Sequence, residues 1–232
     1  MSPAADIPEF RRTVRSFVRR AGRLTAGQKS ALAELWPKYG VDFAARILDL
    51  DALFGRHAPC IMEIGFGNGE LIAEMAANAP DMDFIGVEVH EPGVGHCLML
   101  VDARNLTNVR IIRHDAVEVL RDQIPDAALA GVNLFFPDPW PKKRHHKRRI
   151  VQPDFVALLS GKIRIGGAVQ IATDWTGYAE HIEAIVAANP SFEATDGPPT
   201  GRCVTKFEQR GKNLGHGIHE LVYRRVRCTQ DT

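Results

Sequence analysis

Asp138 stands between two prolines in Phe135-Phe-Pro-Asp-Pro-Trp140, and six of the eight residues from Lys142 to Arg149 are basic: Lys142, Lys143, Arg144, Lys147, Arg148 and Arg149. Each proline lacks an N–H and fixes its own φ, so the carboxylate rides on a stiff loop with its direction set in advance. A carboxylate held this way can steady developing positive charge or accept hydrogen bonds from a base, and the cations beside it can grip a polyanion. Trp140 adds a flat face suited to stacking on a base or to packing on protein. A charge run is more often a solvated face, and an acid between prolines can be a loop brace, so neither feature carries a function alone.

A second constellation is Glu63-Ile-Gly-Phe-Gly-Asn-Gly-Glu70, with Gly65, Gly67 and Gly69 at alternate positions ahead of a helical pattern. Such a turn lets backbone approach a ligand closely. A dinucleotide fingerprint needs Gly or Ala three residues after its second glycine, and Glu70 occupies that place, where a pyrophosphate would meet a carboxylate. Acid-x-G-x-G-x-G instead suits a ligand carrying an ammonium or sulfonium group, which points to S-adenosylmethionine. Glu88 follows Gly69 by 19 residues, the place where ribose hydroxyls are held. Asp115, in His114-Asp-Ala116, could cap a helix, accept from an adenine amino group, or both.

A scaffold that brings these acids together is legible in the alternation of short apolar runs with helical patterns. Strands are expected at Cys60–Ile64, Phe84–Val89, Val109–Arg113, Gly131–Phe136 and Ala168–Thr173. Helices are expected at Glu70–Ala79, Pro92–Asn105, Ala116–Gln123, Pro153–Lys162 and Tyr178–Asn189. That order implies βαβ units, hence an α/β Rossmann-like fold with a mostly parallel sheet and helices on both faces. Cys203–Phe207 and Ile218–Val226 look extended with no helix between them, which predicts a closing antiparallel β-hairpin. Glu63, Glu88, Asp115 and Asp138 then fall at the carboxyl ends of four successive strands, where doubly wound sheets bind ligands.

Upstream, a helix is expected over Gln28–Tyr39, ending near Pro37. Residues 1–56 read as a basic, partly flexible arm with short helices, and 57–232 as the main domain. The arm carries Arg11, Arg12, Arg15, Arg19, Arg20 and Arg23, and Asp6 and Glu9 precede these without an apolar core, which argues against a transit or signal peptide.

Across 232 residues the net charge is only +1, so polyanion binding must come from local clusters. The four cysteines, Cys60, Cys97, Cys203 and Cys228, form no C-x-x-C pair, and no apolar run nears the ~20 residues that span a bilayer, so a cytoplasmic protein is expected. His216-x-x-His219 lacks a companion ligand set, and no metal is expected.

Taken together, these motifs resemble the bacterial tRNA (guanine-N7)-methyltransferases of the class I S-adenosylmethionine-dependent fold. The likeness rests on Gly22-Arg-Leu-Thr, Met62-Glu-Ile-Gly-Phe-Gly-Asn-Gly, Phe84-Ile-Gly-Val-Glu-Val-His, His114-Asp-Ala, the FFPDPW segment with its KRR, and Thr205-Lys-Phe-Glu-Gln-Arg-Gly followed by Leu-Gly-His-Gly. His219-Glu220 stands where Trp-Asp is expected in that family, and Pro141-Lys142-Lys143 replaces a commoner His-Lys-Ala. The resemblance implies that Glu63, Gly65, Gly67, Gly69, Glu88, Asp115 and Asp138 contact S-adenosylmethionine and that Asp138 is catalytic. It implies that Lys142, Asp174, Thr205, Lys206, Phe207 and Glu208 contact the guanine, and that Arg144, His145, His146, Lys147, Arg148 and Arg149 contact tRNA. The substrate implied is guanine 46 of the variable loop, with no obligate protein partner, no membrane, and a monomer or homodimer as the acting form.

The chemistry agrees with that target. Guanine N7 attacks through its own lone pair, so an isolated acid serves by positioning and electrostatics and need not act as a base. N7 faces the major-groove edge, unreachable in an A-form helix, so the base must lie in a loop or be drawn from its stack. Three rival functions fit the residues less well: a methyltransferase on a small molecule or protein leaves the basic run unexplained, a non-catalytic RNA-binding module wastes four strand-end acids, and a nucleotide-dependent oxidoreductase is opposed by Glu70.

Overall fold

In the computed structural model, which describes residues 16–17, 22–195 and 217–226, one eight-stranded sheet is sandwiched between helices. Its strands are β1 (Gly40–Val41), β2 (Cys60–Ile64), β3 (Asp83–Val87), β4 (Val109–Ile112), β5 (Leu129–Phe135), β6 (Ile163–Thr173), β7 (Phe192–Ala194) and β8 (His219–Arg225), in the spatial order β1-β4-β3-β2-β5-β6-β8-β7. Pairings from β1 through β6 are parallel, while β8 runs antiparallel to both β6 and β7. The order reverses at β2, which lies between β3 and β5, so the crevice above the carboxyl ends of these three strands is the expected ligand site.

All five residues of β2 are buried, because a parallel strand in mid-sheet has helices over both faces. Met62 and Ile64 enter the core shared with α6 (Ala116–Asp122), α7 (Pro153–Lys162) and α8 (Thr176–Ala187). Ile61 enters the opposite core, built with α1 (Ala26–Glu34), α2 (Trp36–Tyr39), α4 (Glu70–Asn78) and α5 (Glu91–Ala103). By the period of two, Glu63 shares the face of Ile61 and points toward α4 and α5. A short helix, α3 (Leu50–Phe54), precedes β2.

Several boundaries differ from expectation for local reasons. The first helix starts at Ala26, two residues early, because Thr25 and Gln28 form a capping box: Thr25 Oγ1 accepts from Gln28 N at 3.2 Å and Gln28 Oε1 from Thr25 N at 2.9 Å. Pro37 does not end that helix; it occupies the first turn of α2, where a missing N–H costs nothing. Residues 40–41 and 192–194 also form strands, beyond the five expected and the closing hairpin. The second half of the expected C-terminal hairpin is β8, paired with β6 and β7, whereas Cys203–Phe207 lies outside the described residues. Among the described residues, no helix is long and apolar enough to cross a membrane.

Candidate active site

A cavity of about 240 Å³ opens above the carboxyl edge, and four strand ends form its wall. Ile64 and Gly65 follow β2, Val87 to Val89 close β3, His114 to Ala116 follow β4, and Leu134 to Asp138 close β5. Glu88, Asp115 and Asp138 therefore share one chamber, as the strand-end argument requires.

The glycine loop between β2 and α4 is shaped for a ligand. Gly65 and Gly67 have φ of 73° and 58°, in the left-handed region, and a Cβ built on either meets nothing within 4 Å. Gly69, at φ 82°, is packed: its Cβ would fall 2.3 Å from Cys97 Sγ, so this glycine seats α4 against α5.

Glu88 organises the loop. Its Oε2 accepts from Gly67 N at 3.0 Å, and its Oε1 accepts from Val89 N at 2.7 Å and His90 N at 2.9 Å. A carboxylate offers about four lone-pair sites, so capacity for a hydroxyl donor remains. Asp115 is the N-cap of α6, its Oδ1 accepting from Val117 N at 2.9 Å, which satisfies the helix-capping half of its expected dual role. Beside it, His114 stacks on Phe43 with ring centroids 3.7 Å apart and 9° between planes, and is bonded to Glu118. Sequence alone gave no sign of this pair, since Phe43 follows β1 and meets His114 only through β1–β4 pairing.

Glu63 lies below the chamber and does not line it. It is 3% exposed, and its Oε2 has no hydrogen-bond partner in the described structure. Burial pushes its carboxyl up to about 8, and the nearby charge of Glu88 adds to the shift. A buried carboxyl with an unpartnered oxygen under an open glycine cradle can accept from an ammonium group, whose charge in turn favours the ionised carboxylate, so these residues suit S-adenosylmethionine. The folded chain holds the Glu63 proton up to about pH 8 whereas the unfolded chain releases it near 4.5, so folding is favoured below 4.5 and that advantage drains away as pH climbs to about 8. The loss is several kcal/mol at most, at about 1.4 kcal/mol per pKa unit. Glu63→Gln should flatten the dependence: its Tm, referred to the wild type, should rise steadily between pH 5 and pH 8 in buffered melts. A constant difference would return Glu63 to an ordinary ionised state.

The Asp138 loop is tightly determined. Phe136 and Trp140, which bracket Pro137-Asp-Pro139, have positive φ of 50° and 45°, costly for residues other than glycine. Phe136 N bonds Ala172 O at 2.7 Å, and Trp140 Nε1 bonds Ser16 O at 3.3 Å. Asp138 itself is exposed. Ser16 and Phe17 also line the chamber, a contribution of the N-terminal arm that nothing local in the sequence signalled.

Trp140 resolves toward packing on protein: the Arg148 guanidinium lies 5.0 Å from its ring centroid, and His145 meets it edge-on at 5.8 Å. The basic run folds as a 3₁₀ helix, Lys143–Arg148. Lys142, Lys143, Arg144 and Lys147 are exposed, while His145, His146 and Arg148 are half-buried. Desolvation, and then the surrounding charges of Arg144, Arg148, Lys142 and Lys147, hold the His145 pKa below its ordinary value. Arg149 turns inward, 4% exposed, which departs from the expected tRNA-facing position. A second cavity of about 310 Å³, walled by Arg121, Lys147 and Arg148 among others, shares Ser16, Asp115 and Ile150 with the first, so the basic helix adjoins the chamber directly.

Asp174 follows β6 on the same edge and is exposed, with Trp175, 43% exposed, as the N-cap residue of α8. Thr205, Lys206, Phe207 and Glu208 lie outside the described residues. No group of three or more His, Cys, Asp or Glu is placed to hold a metal ion among the described residues.

A mixed sheet reversing at β2, with a glycine cradle and acids at successive strand ends, defines the class I methyltransferase fold. Solved structures share it: a 16S rRNA methyltransferase, KamB, superposes with TM-score 0.55 at 11% identity over 78% of this chain and 95% of that one. The antibiotic-resistance methyltransferase Kmr gives 0.53 at 15% identity over 82% and 96%. A family model described as "Putative methyltransferase" matches residues 57–221. The chain belongs to the tRNA (guanine-N7-)-methyltransferase family: proteins so named from Aeromonas hydrophila subsp. hydrophila and Alkalilimnicola ehrlichii are each 55% identical to it, the first over 94% of both chains, the second over 97% of this chain and 98% of that one. The protein of that name from Halorhodospira halophila is 53% identical over 92% of this chain and 95% of its own.

Proposed function

We propose that this chain transfers a methyl group from S-adenosylmethionine to N7 of guanine in tRNA, with guanine 46 of the variable loop as the target, in the cytoplasm. The observation that carries this reading is the placement of Asp138: it lines the chamber formed by the glycine loop, Glu88 and Asp115, and two residues after Trp140 begins the basic segment that flanks the second cavity. The cofactor and a polyanion are thereby brought to one edge.

Each residue has a part in this scheme. Glu63, Gly65, Gly67 and Gly69 accommodate the amino-acid end of the cofactor, Glu88 its ribose, and Asp115 its adenine. When bound, S-adenosylmethionine supplies a methyl group on positively charged sulfur, which departs as a neutral thioether. Asp138 accepts from the base N–H groups and aims N7, and its negative charge offsets the positive charge the ring gains. No proton has to leave N7, so the loop needs no base. Asp174 and Lys142, both exposed at the same edge, hold the guanine from its other sides, with Thr205 to Glu208 as further contacts. Lys143 to Arg148 carry the phosphate contacts.

The test is to incubate the protein with labelled S-adenosylmethionine and unmodified tRNA, then treat the product with borohydride and aniline, which break the chain at 7-methylguanosine. Label in the RNA and a single cut in the variable loop are expected. Label without cleavage would exclude N7, and no label would exclude tRNA methylation.

A further inference from the structure

Of the six cations between Lys142 and Arg149, only Arg149 is buried, and its partners include the Asp138 loop and the first turn of α8. Its Nε donates to Pro139 O at 2.9 Å, its Nη1 to Gly177 O at 3.3 Å, and its guanidinium carbon lies 4.8 Å from the centroid of the Tyr178 ring. Pro139 directly follows Asp138, and Gly177, three residues after Asp174, lies in the first turn of α8. We propose that Arg149 is a positioning residue whose guanidinium fork clamps the Asp138 loop to the start of α8, just after Asp174, fixing the two carboxylates relative to each other, and that it makes no contact with tRNA. The inference rests on the functional reading above, since it assigns a purpose to the relation between those two acids.

Three physical points support it. First, the loop cannot stitch itself: Pro137 and Pro139 have no N–H, so their segment depends on donors from elsewhere, and Arg149 supplies the one that reaches Pro139 O. Second, the positive φ of Phe136 and Trp140 persists only where surrounding contacts over-determine the backbone. Removing the clamp frees both to relax. Third, burying a cation is costly unless it is fully engaged, and two carbonyls, His146 Nε2 at 3.2 Å and an aromatic face engage this one. Lysine offers a compact ammonium in place of a planar fork and cannot reach both carbonyls while covering the ring.

The experiment compares wild type, Arg149→Met, Arg149→Lys and Lys147→Ala by steady-state methylation of tRNA, with tRNA affinity measured over a salt series and active enzyme counted by cofactor-binding stoichiometry. With Lys143, Arg144, Lys147 and Arg148 on phosphate, the wild-type log–log salt slope should be about −2.8 to −3.6, at roughly 0.7 to 0.9 per contact. Lys147→Ala should make that slope shallower by one contact. Arg149→Met should keep the wild-type slope and tRNA affinity yet lower kcat per active molecule by about 30- to 100-fold, the scale of a ~1 Å misplacement. Arg149→Lys should lose about tenfold in kcat. Wild-type kcat in Arg149→Met, or a slope change equal to that of Lys147→Ala, would overturn the inference. Should Arg149→Met not fold, Arg149→Lys decides by the same criterion, and failure of both to fold would assign Arg149 to packing alone and overturn it. If wild type itself transfers no methyl group to tRNA, the functional reading fails instead.

Discussion

Asp138→Asn should lower kcat by about a hundredfold or more while leaving tRNA affinity within about twofold. The substitution is isosteric, so the Pro137 and Pro139 geometry, the Phe136 N to Ala172 O bond and the Arg149 contact to Pro139 O all remain possible. What disappears is a negative charge on the wall of the chamber that also holds Glu88 and Asp115. Losing one preorganised electrostatic partner of a developing charge typically costs 10²–10³ in rate. Because N7 attacks without losing a proton, the residual rate of the variant should show the same pH dependence as wild type. A residue acting as a base would instead leave a residual rate that climbs with hydroxide. An unchanged kcat would return Asp138 to the role of loop brace, and a large loss of tRNA affinity would move it into substrate binding.

Much of this scaffold was legible because strong local signals and tertiary demands coincide. Cys60–Ile64 and Pro153–Lys162 begin and end where expected: the strand is an apolar run broken only by Glu63 and bounded by Pro59 and the first loop glycine, and the helix has proline in its first turn. The acids at strand ends follow from that alternation, since a parallel sheet puts every such end on one edge. Glu63 shows the limit of the argument: it falls within the last turn of β2's pleat and points sideways into the α4–α5 layer, beneath the chamber shared by Glu88, Asp115 and Asp138.

What stayed illegible depends on contacts distant in sequence or on elements too short for periodicity. β1 has two residues and β7 three, and neither can display an alternation. Pro37 carries the same chemistry whether it ends one helix or opens the next, and the Thr25–Gln28 box upstream decides between them. Trp140 could have faced a base or the protein, and Arg148 and His145 settle it from within the same basic run. Arg149 is indistinguishable by type from Arg148 before it. Only the packing of Tyr178 and the carbonyls of Pro139 and Gly177 turn it inward.

The largest effect on cofactor affinity is expected from Glu88→Ala. The carboxylate accepts from three backbone amides and ties the glycine loop, through Gly67 N, to the end of β3, through Val89 N and His90 N. Truncation leaves those donors without their charged acceptor, at about 1–3 kcal/mol for each that stays buried, and water reaching this half-buried position recovers part of it. The cost therefore falls on the shape of the loop more than on global folding. Gly65 and Gly67 are held in left-handed conformations that frame open space, and without Glu88 that framing is no longer enforced. On the proposed role of Glu88, the ribose hydroxyls lose their acceptor in the same step. Affinity for S-adenosylmethionine, read by calorimetry, should weaken by about a hundredfold or more, equivalent to roughly 2.7 kcal/mol. Its product S-adenosylhomocysteine should weaken equally, because the interaction lost is remote from the sulfur. At saturating cofactor, kcat should stay within a few-fold of wild type, the signature of binding made equally in ground and transition states. Unchanged affinity would mean that Glu88 only braces the loop, and selective weakening of one of the two ligands would place its action at the sulfur instead of the ribose.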